Sequence, residues 1–97
     1  MLKINQTKGF ILWFMQLTIK EQTKVAARLE RIASYGHFGD AKSIGGGLAE
    51  LRWQNGWRVY FVKAEKTVIV LLNGGHKNGQ KKDIEKARLL LQRYAGD

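Results

Sequence analysis

Two arginines, a carboxylate and a phenol fall at alternating positions of one short stretch, Glu50 and Arg52 before a turn at Asn55-Gly56, Arg58 and Tyr60 after it. A guanidinium presents a planar fork of donors matched to phosphate oxygens, so Arg52 and Arg58 are the leading phosphate-contact candidates. The plainer reading is a surface ion network of Arg52, Glu50 and Arg58 with no ligand, and both stand at this level. Glu50 is a candidate general base. Guanidiniums that near hold a carboxylate in its charged form and weaken it as a proton acceptor, so a counter-charge role competes. His76 and Lys77 follow a long apolar run. An imidazole suits proton transfer to a leaving oxygen near neutral pH, and an ammonium adds charge beside a phosphate. A solvated loop would carry the same two residues. Lys81 and Lys82, continued by Lys86, Arg88 and Arg93, give the final helix a basic face adjoining that turn, diluted by Asp83 and Glu85. His37 lies in an earlier loop and is read as a surface residue.

The strands that would position these groups alternate faces with period two, so Glu50 and Arg52 oppose Leu51 and Trp53, while Arg58 and Tyr60 oppose Trp57, Val59 and Phe61. The turn decides whether the polar rows coincide. A two-residue Asn55-Gly56 loop pairs Trp53 with Arg58 and mixes the faces. An odd loop, or a bulge with Gly in the left-handed region, pairs Arg52 with Arg58, Leu51 with Val59 and Glu50 with Tyr60. The odd loop is expected because it yields one apolar and one polar face, with Trp53 and Trp57 in the core rather than free to stack bases.

Around this hairpin the chain reads as strand, two helices, three antiparallel strands and a helix: an α+β fold in which helices pack on a small, mostly antiparallel sheet. Residues 2–6 form the first strand. Phe10, Trp13, Phe14 and Leu17 make a helical stripe at core spacing. Thr18 and Glu21 have capping-box spacing and start a second helix that runs to about Tyr35, buries Val25, Leu29 and Ile32, and ends near Gly36. Gly36 to Gly47 is expected to be a loop; its three consecutive glycines lack the strand and the Gly-Lys-Ser/Thr of a phosphate loop. Strands follow at about 48–54, 57–63 and 67–73, the last apolar on both faces as a central strand should be. Gly74 to Gly79 then breaks the chain before a helix from about Gln80 to Tyr94, with Ile84, Ala87, Leu91 and Tyr94 on its stripe.

The 97 residues are expected to form one domain, 1–97. Lys and Arg number 17 against 8 Asp and Glu, a formal net charge of +9. That excess is the footprint of a polyanion binder, although an acidic protein partner would satisfy it equally. Without cysteine there is no disulfide or thiolate chemistry, and two histidines cannot build a structural zinc site, so no metal or cofactor is expected. The N-terminus does not read as a signal peptide and Phe10–Leu17 is too short to span a bilayer, so a soluble cytoplasmic protein without membrane contact is expected.

Three segments carry a family resemblance: Gly39-Asp40-Ala41-Lys42-Ser43-Ile44-Gly45-Gly46-Gly47-Leu48-Ala49-Glu50-Leu51-Arg52; Gly56-Trp57-Arg58-Val59-Tyr60-Phe61; and Leu71 through Ile84. They resemble the RelE/ParE superfamily of type II toxins and, within it, the HigB-like branch often labelled addiction-module killer proteins. The resemblance implies a RelE-like fold and a toxin held inactive by a cognate antitoxin, expected to be a helix-turn-helix protein, with operator DNA a further partner of the complex. It implies a ribosome-dependent, metal-independent endoribonuclease that cleaves mRNA and inhibits translation. Relatives of the ParE type inhibit DNA gyrase instead, and a catalytically silent antitoxin- and DNA-binding partner is a third reading. The arginine of the Gly-x-Arg strand motif maps onto Arg58 and the basic residue of the loop before the last helix onto Lys77, both as phosphate stabilisers. Leu48 and Glu50 stand where RelE has two lysines, and Asp83 where it has a tyrosine. Tyr60 and Tyr94 are the phenols that could replace it, and Glu50 and His76 are left as the candidates for proton transfer.

Overall fold

Thr18 and Glu21 form the expected reciprocal cap: the Thr18 hydroxyl accepts from the Glu21 N–H at 3.2 Å, and the Glu21 carboxylate accepts from the Thr18 N–H at 2.8 Å. The helix that follows ends at Gly36, whose φ of +68° lets its N–H return to the Ile32 carbonyl. The computed structural model describes residues 1–96. Its elements are β1 (Lys3–Gln6), α1 (Lys8–Met15), α2 (Ile19–Tyr35), β2 (Ala41–Gly45), β3 (Leu48–Arg52), β4 (Trp57–Glu65), β5 (Val68–His76), a 3-10 turn (Lys77–Gly79) and α3 (Gln80–Gly96). The strands make one sheet in the order β1-β5-β4-β3-β2, antiparallel except that β1 runs parallel to β5.

The sheet is covered on both faces. Phe10 of α1 and Val25, Leu29 and Ile32 of α2 pack on Leu51, Val59, Phe61, Ile69 and Leu71. On the other face Ala87 of α3, with Ile84, Leu90 and Leu91, packs on Leu48, Tyr60, Val70 and Leu72. Consecutive residues of β5 therefore enter opposite cores, which is why that strand is apolar on both faces. Trp53 and Trp57 are half-buried against the α1/α2 core, edge to face with each other.

Three features depart from the sequence reading. The segment expected to be a loop contains β2, an edge strand paired with β3; its exposed residues follow no apolar alternation because only its backbone is engaged, and Gly45, Gly46 and Gly47 form the connecting turn at positive φ. Gly74 and Gly75 do not break the chain but carry β5 on to His76. A Cβ on Gly74 would collide with the Trp13 indole, and one on Gly75 with the Asp83 carboxylate, so both glycines serve close helix–sheet contact. On α3, Tyr94 is exposed and Leu90 packs into the core instead.

Candidate functional site

The β3–β4 hairpin takes the odd register. Arg52 pairs with Arg58, Leu51 with Val59 and Glu50 with Tyr60. The turn closes through the Gly56 N–H on the Trp53 carbonyl at 3.0 Å and the Trp53 N–H on the Trp57 carbonyl at 3.0 Å, with Gly56 at φ +102°. Glu50, Arg52, Arg58 and Tyr60 thus share the sheet face that α3 covers. A bulge in β5 extends the row: Asn73 pairs with Tyr60 while Leu71 pairs with Phe61, which leaves Leu72 without an opposite residue. The result is two adjacent rows across three strands, Glu50–Tyr60–Asn73 and Arg52–Arg58–Gly75.

The start of α3 closes over these rows. Gln80 Nε2 donates to Glu50 Oε2 at 2.8 Å, and Asn73 Nδ2 donates to the Asp83 carbonyl at 3.1 Å. Glu50 is 2% exposed and Tyr60 0%, whereas the Arg52 side chain is 38% exposed, with its Nε 3.9 Å from Glu50 Oε1. Arg58 is 8% exposed and donates Nη1 to the carbonyls of Trp57 at 2.9 Å and Trp53 at 3.2 Å. Burial pushes the Tyr60 phenol well above the ordinary tyrosine value, and the carboxylates of Glu50 and Asp83 push the same way against Arg58. It is therefore a protonated hydroxyl at neutral pH. Burial also raises the Asp83 carboxyl, with Lys86 and Lys82 opposing.

Among the described residues, four buried polar atoms of these rows have no hydrogen-bond partner: Arg52 Nε, Arg58 Nε, Tyr60 OH and Asn73 Oδ1. Each such atom costs about 1–3 kcal/mol when buried unpaired. Four in one place make a marked concentration of unused hydrogen-bonding capacity, three of the atoms being donors.

The structure does not add His76 to this group. His76 pairs with Trp57 and so lies on the opposite face from Arg58. Its Nδ1 accepts from the Asn78 N–H, so Nε2 carries the proton and donates to the Asn55 carbonyl at 3.2 Å. The imidazole lies against Gly56, and the Lys77 N–H donates to the Gly56 carbonyl at 2.7 Å, so together they fasten the hairpin turn to the end of β5. The side chains of Lys77, Lys81 and Lys82 are exposed at the approach to the first turn of α3. Asn73 and Gln80 belong to the site and were not singled out in the sequence; Gln80 stands out only once its helix start is known to cover the hairpin. Among the described residues, no three His, Asp or Glu side chains gather as metal ligands, and no helix is long and apolar enough to cross a membrane.

This architecture is that of the RelE toxins. A double mutant of E. coli RelE in the free state matches with a TM-score of 0.70 over 90% of this chain and 95% of that one, at 12% identity. A chain of the intact E. coli RelBE toxin–antitoxin complex matches at 0.65, covering 78% and 96% at 13% identity. The RelB–RelE antitoxin–toxin complex of Methanococcus jannaschii gives 0.65, covering 80% and 95% at 14% identity. At such identities the likeness establishes the fold. The family follows from sequence: residues 12–95 match the model of the phage-derived Gp49-like proteins (DUF891), and the chain belongs to that family. An uncharacterized protein of Haemophilus influenzae is 38% identical over 94 residues, 94% of each chain.

Proposed function

We propose that this chain is the toxin of a type II toxin–antitoxin module, of the HigB-like branch, and that it cleaves mRNA on the ribosome without a metal. The observation that carries the reading is the set of unpartnered polar atoms of Arg52, Arg58, Tyr60 and Asn73 gathered around Glu50. The RelE fold, which other chains bring to complexes with antitoxins, and the net charge of +9 support it.

In the reaction, an RNA 2′-hydroxyl attacks the adjacent phosphorus and the 5′-oxygen leaves, giving a 2′,3′-cyclic phosphate. The free Nε–H groups of Arg52 and Arg58 donate to the phosphoryl oxygens as charge builds on them. The Tyr60 hydroxyl, held protonated, donates a further hydrogen bond. Glu50 takes the 2′-proton once Gln80 releases it, and Lys77 delivers a proton to the leaving oxygen. Lys81 and Lys82 draw the strand in, and the start of α3 moves aside to admit it. His76 positions the hairpin turn rather than transferring a proton. The proposed partners are a cognate antitoxin, the ribosome and mRNA.

Induced expression with mapping of message 5′ ends on translating ribosomes tests this. Cleavage within codons is expected from the wild type and not from Arg58→Ala. The closed state of Glu50 and Tyr60 favours one rival, a binding-only inhibitor of gyrase. Intact messages with inhibited DNA supercoiling would select that rival.

A further inference from the structure

On the sheet face opposite Glu50 and Arg58, a cleft of about 570 Å³ opens between α2, the segment after it and the β3–β4 turn. Lys24, Arg28 and Arg31 line it from α2 at i, i+4 and i+7, a basic stripe beside the apolar stripe of Val25, Leu29 and Ile32. His37, Arg52, Trp53 and Asn55 line the facing wall, so at Arg52 the cleft meets the edge of the Arg52–Arg58 row. Arg28 is the floor: 9% exposed, it donates Nε and Nη2 to the Phe38 carbonyl at 3.1 and 2.8 Å, Nη2 to the Asp40 carbonyl at 2.7 Å, and Nη1 to the Arg52 carbonyl. Its carbon Cζ sits 4.4 Å from the centre of the Trp53 ring. Carbonyls satisfy the donors without cancelling the charge. Burial lowers the proton affinity of the Arg28 guanidinium, the Asp40 carboxylate opposes that shift, and Arg31 adds to it. Four cations, Lys24, Arg28, Arg31 and Arg52, line the cleft, and no carboxylate is among its lining residues, an arrangement that focuses positive potential into it. Next to it, the exposed Tyr35 ring stands 6.0 Å from the His37 ring. An open pair of rings beside a cationic groove favours unpaired bases over an acidic peptide, which has no use for a stacking platform.

We propose that this cleft is a second nucleic-acid site, holding the phosphodiester backbone of a single strand along Lys24 and Arg31 with a base stacked on Tyr35 and His37. The cleft shares Arg52 with the rows proposed for cleavage, but binding along Lys24 and Arg31 needs no chemistry, so a chain that cut nothing would still show it.

The test is the anisotropy of a labelled single-stranded RNA of about twelve nucleotides, and of DNA of the same sequence, titrated with the full chain over a range of salt concentrations. Lys24→Gln/Arg31→Gln is compared with Lys3→Gln/Lys66→Gln, which removes the same charge from β1 and the β4–β5 turn; circular dichroism checks that both fold. Losing two phosphate contacts to a single strand should flatten the log–log salt slope by about 1.4 and weaken binding about tenfold in low salt. The Lys3/Lys66 pair should change the slope little, and Tyr35→Ala should weaken binding without changing it. RNA bound more tightly than DNA, or the reverse, identifies the source of the strand, and either supports the site. Equal losses in the two charge pairs would reduce the effect to net charge and overturn it. So would displacement of the RNA by a glutamate-rich peptide combined with an unchanged Tyr35→Ala, which would assign the cleft to an acidic protein. Cleavage is not read here, so failure of the nuclease proposal and failure of this one are separable.

Discussion

The two faces of the sheet treat a buried arginine in opposite ways. Arg28, on the buried side of α2, has filled its fork with the carbonyls of Phe38, Asp40 and Arg52 and lies against Trp53. Arg58, under α3, spends one nitrogen on the turn carbonyls and leaves Nε unpartnered. They are almost equally hidden, at 9% and 8% exposure, and among the described residues neither has a carboxylate within ion-pair distance. Burial alone therefore does not distinguish a strut from a binding group; the state of its donors does. A filled fork ties elements together and projects charge, whereas a free donor beside other free polar atoms is available to a ligand.

That contrast can be broken by substitution. The largest effect belongs to Arg58→Ala, expected to abolish growth arrest on induction while the protein remains folded by circular dichroism; full toxicity in a folded variant would remove Arg58 from the phosphate role. Next comes Arg28→Met, which leaves the carbonyls of Phe38, Asp40 and Arg52 without their donor. At about 1–3 kcal/mol for each unpaired buried group, partly relieved by solvent, a loss of about 3 kcal/mol is expected in urea unfolding. A loss no larger than that of an exposed substitution would deny it the strut role. Gln80→Ala removes a hydrogen bond to a carboxylate and should cost about 1.5 kcal/mol, with faster amide exchange confined to the first turns of α3.

Tyr60→Phe has the smallest effect and the opposite sign. Deleting a hydroxyl that has no partner should raise stability by about 1 kcal/mol at neutral pH while cleavage falls. Its phenol is raised on folding, so the folded state holds the proton longer than the unfolded chain. The stability this contributes is complete below the unfolded value near 10 and declines as pH rises above it. The alkaline decline measured for wild type should be shallower in Tyr60→Phe; an identical decline would contradict the burial of that group.

Much of this arrangement was legible in the residues. Period-two alternation with a glycine-marked turn was enough to pair Arg52 with Arg58 and Glu50 with Tyr60, because only one register separates polar from apolar side chains. Thr18, Glu21 and Gly36 bounded α2 through local hydrogen bonds that need no tertiary context. What escaped depends on contacts between distant segments. β2 is held by backbone bonds to β3 and carries no side-chain pattern. Gly74 and Gly75 read as a break because Trp13 and Asp83, the groups that require them, lie 61 and 8 residues away in the chain. Glu50 and Tyr60 read as members of one polar face, and nothing local reveals that α3 buries them, Gln80 over Glu50 and Ala87 against the cluster of Tyr60. Arg28 did leave a trace: a charged residue between Val25, Leu29 and Ile32 on a buried stripe has to be neutralised or hydrogen-bonded, and carbonyls did the latter.

The parallel pairing of β1 with β5 has a consequence for time as well as shape. Lys3 meets Val68 and Gln6 meets Leu71, so the first strand made must wait for the last before it has a partner. Contacts of such sequence separation form late and slowly. Until then the carbonyls that receive Thr7, and the strand that bears Asn73 and carries the chain to α3, are not in place. A chain of this design therefore cannot complete its sheet through most of its own synthesis, and a partner able to recognise only the finished sheet would have nothing to grasp until β5 is made.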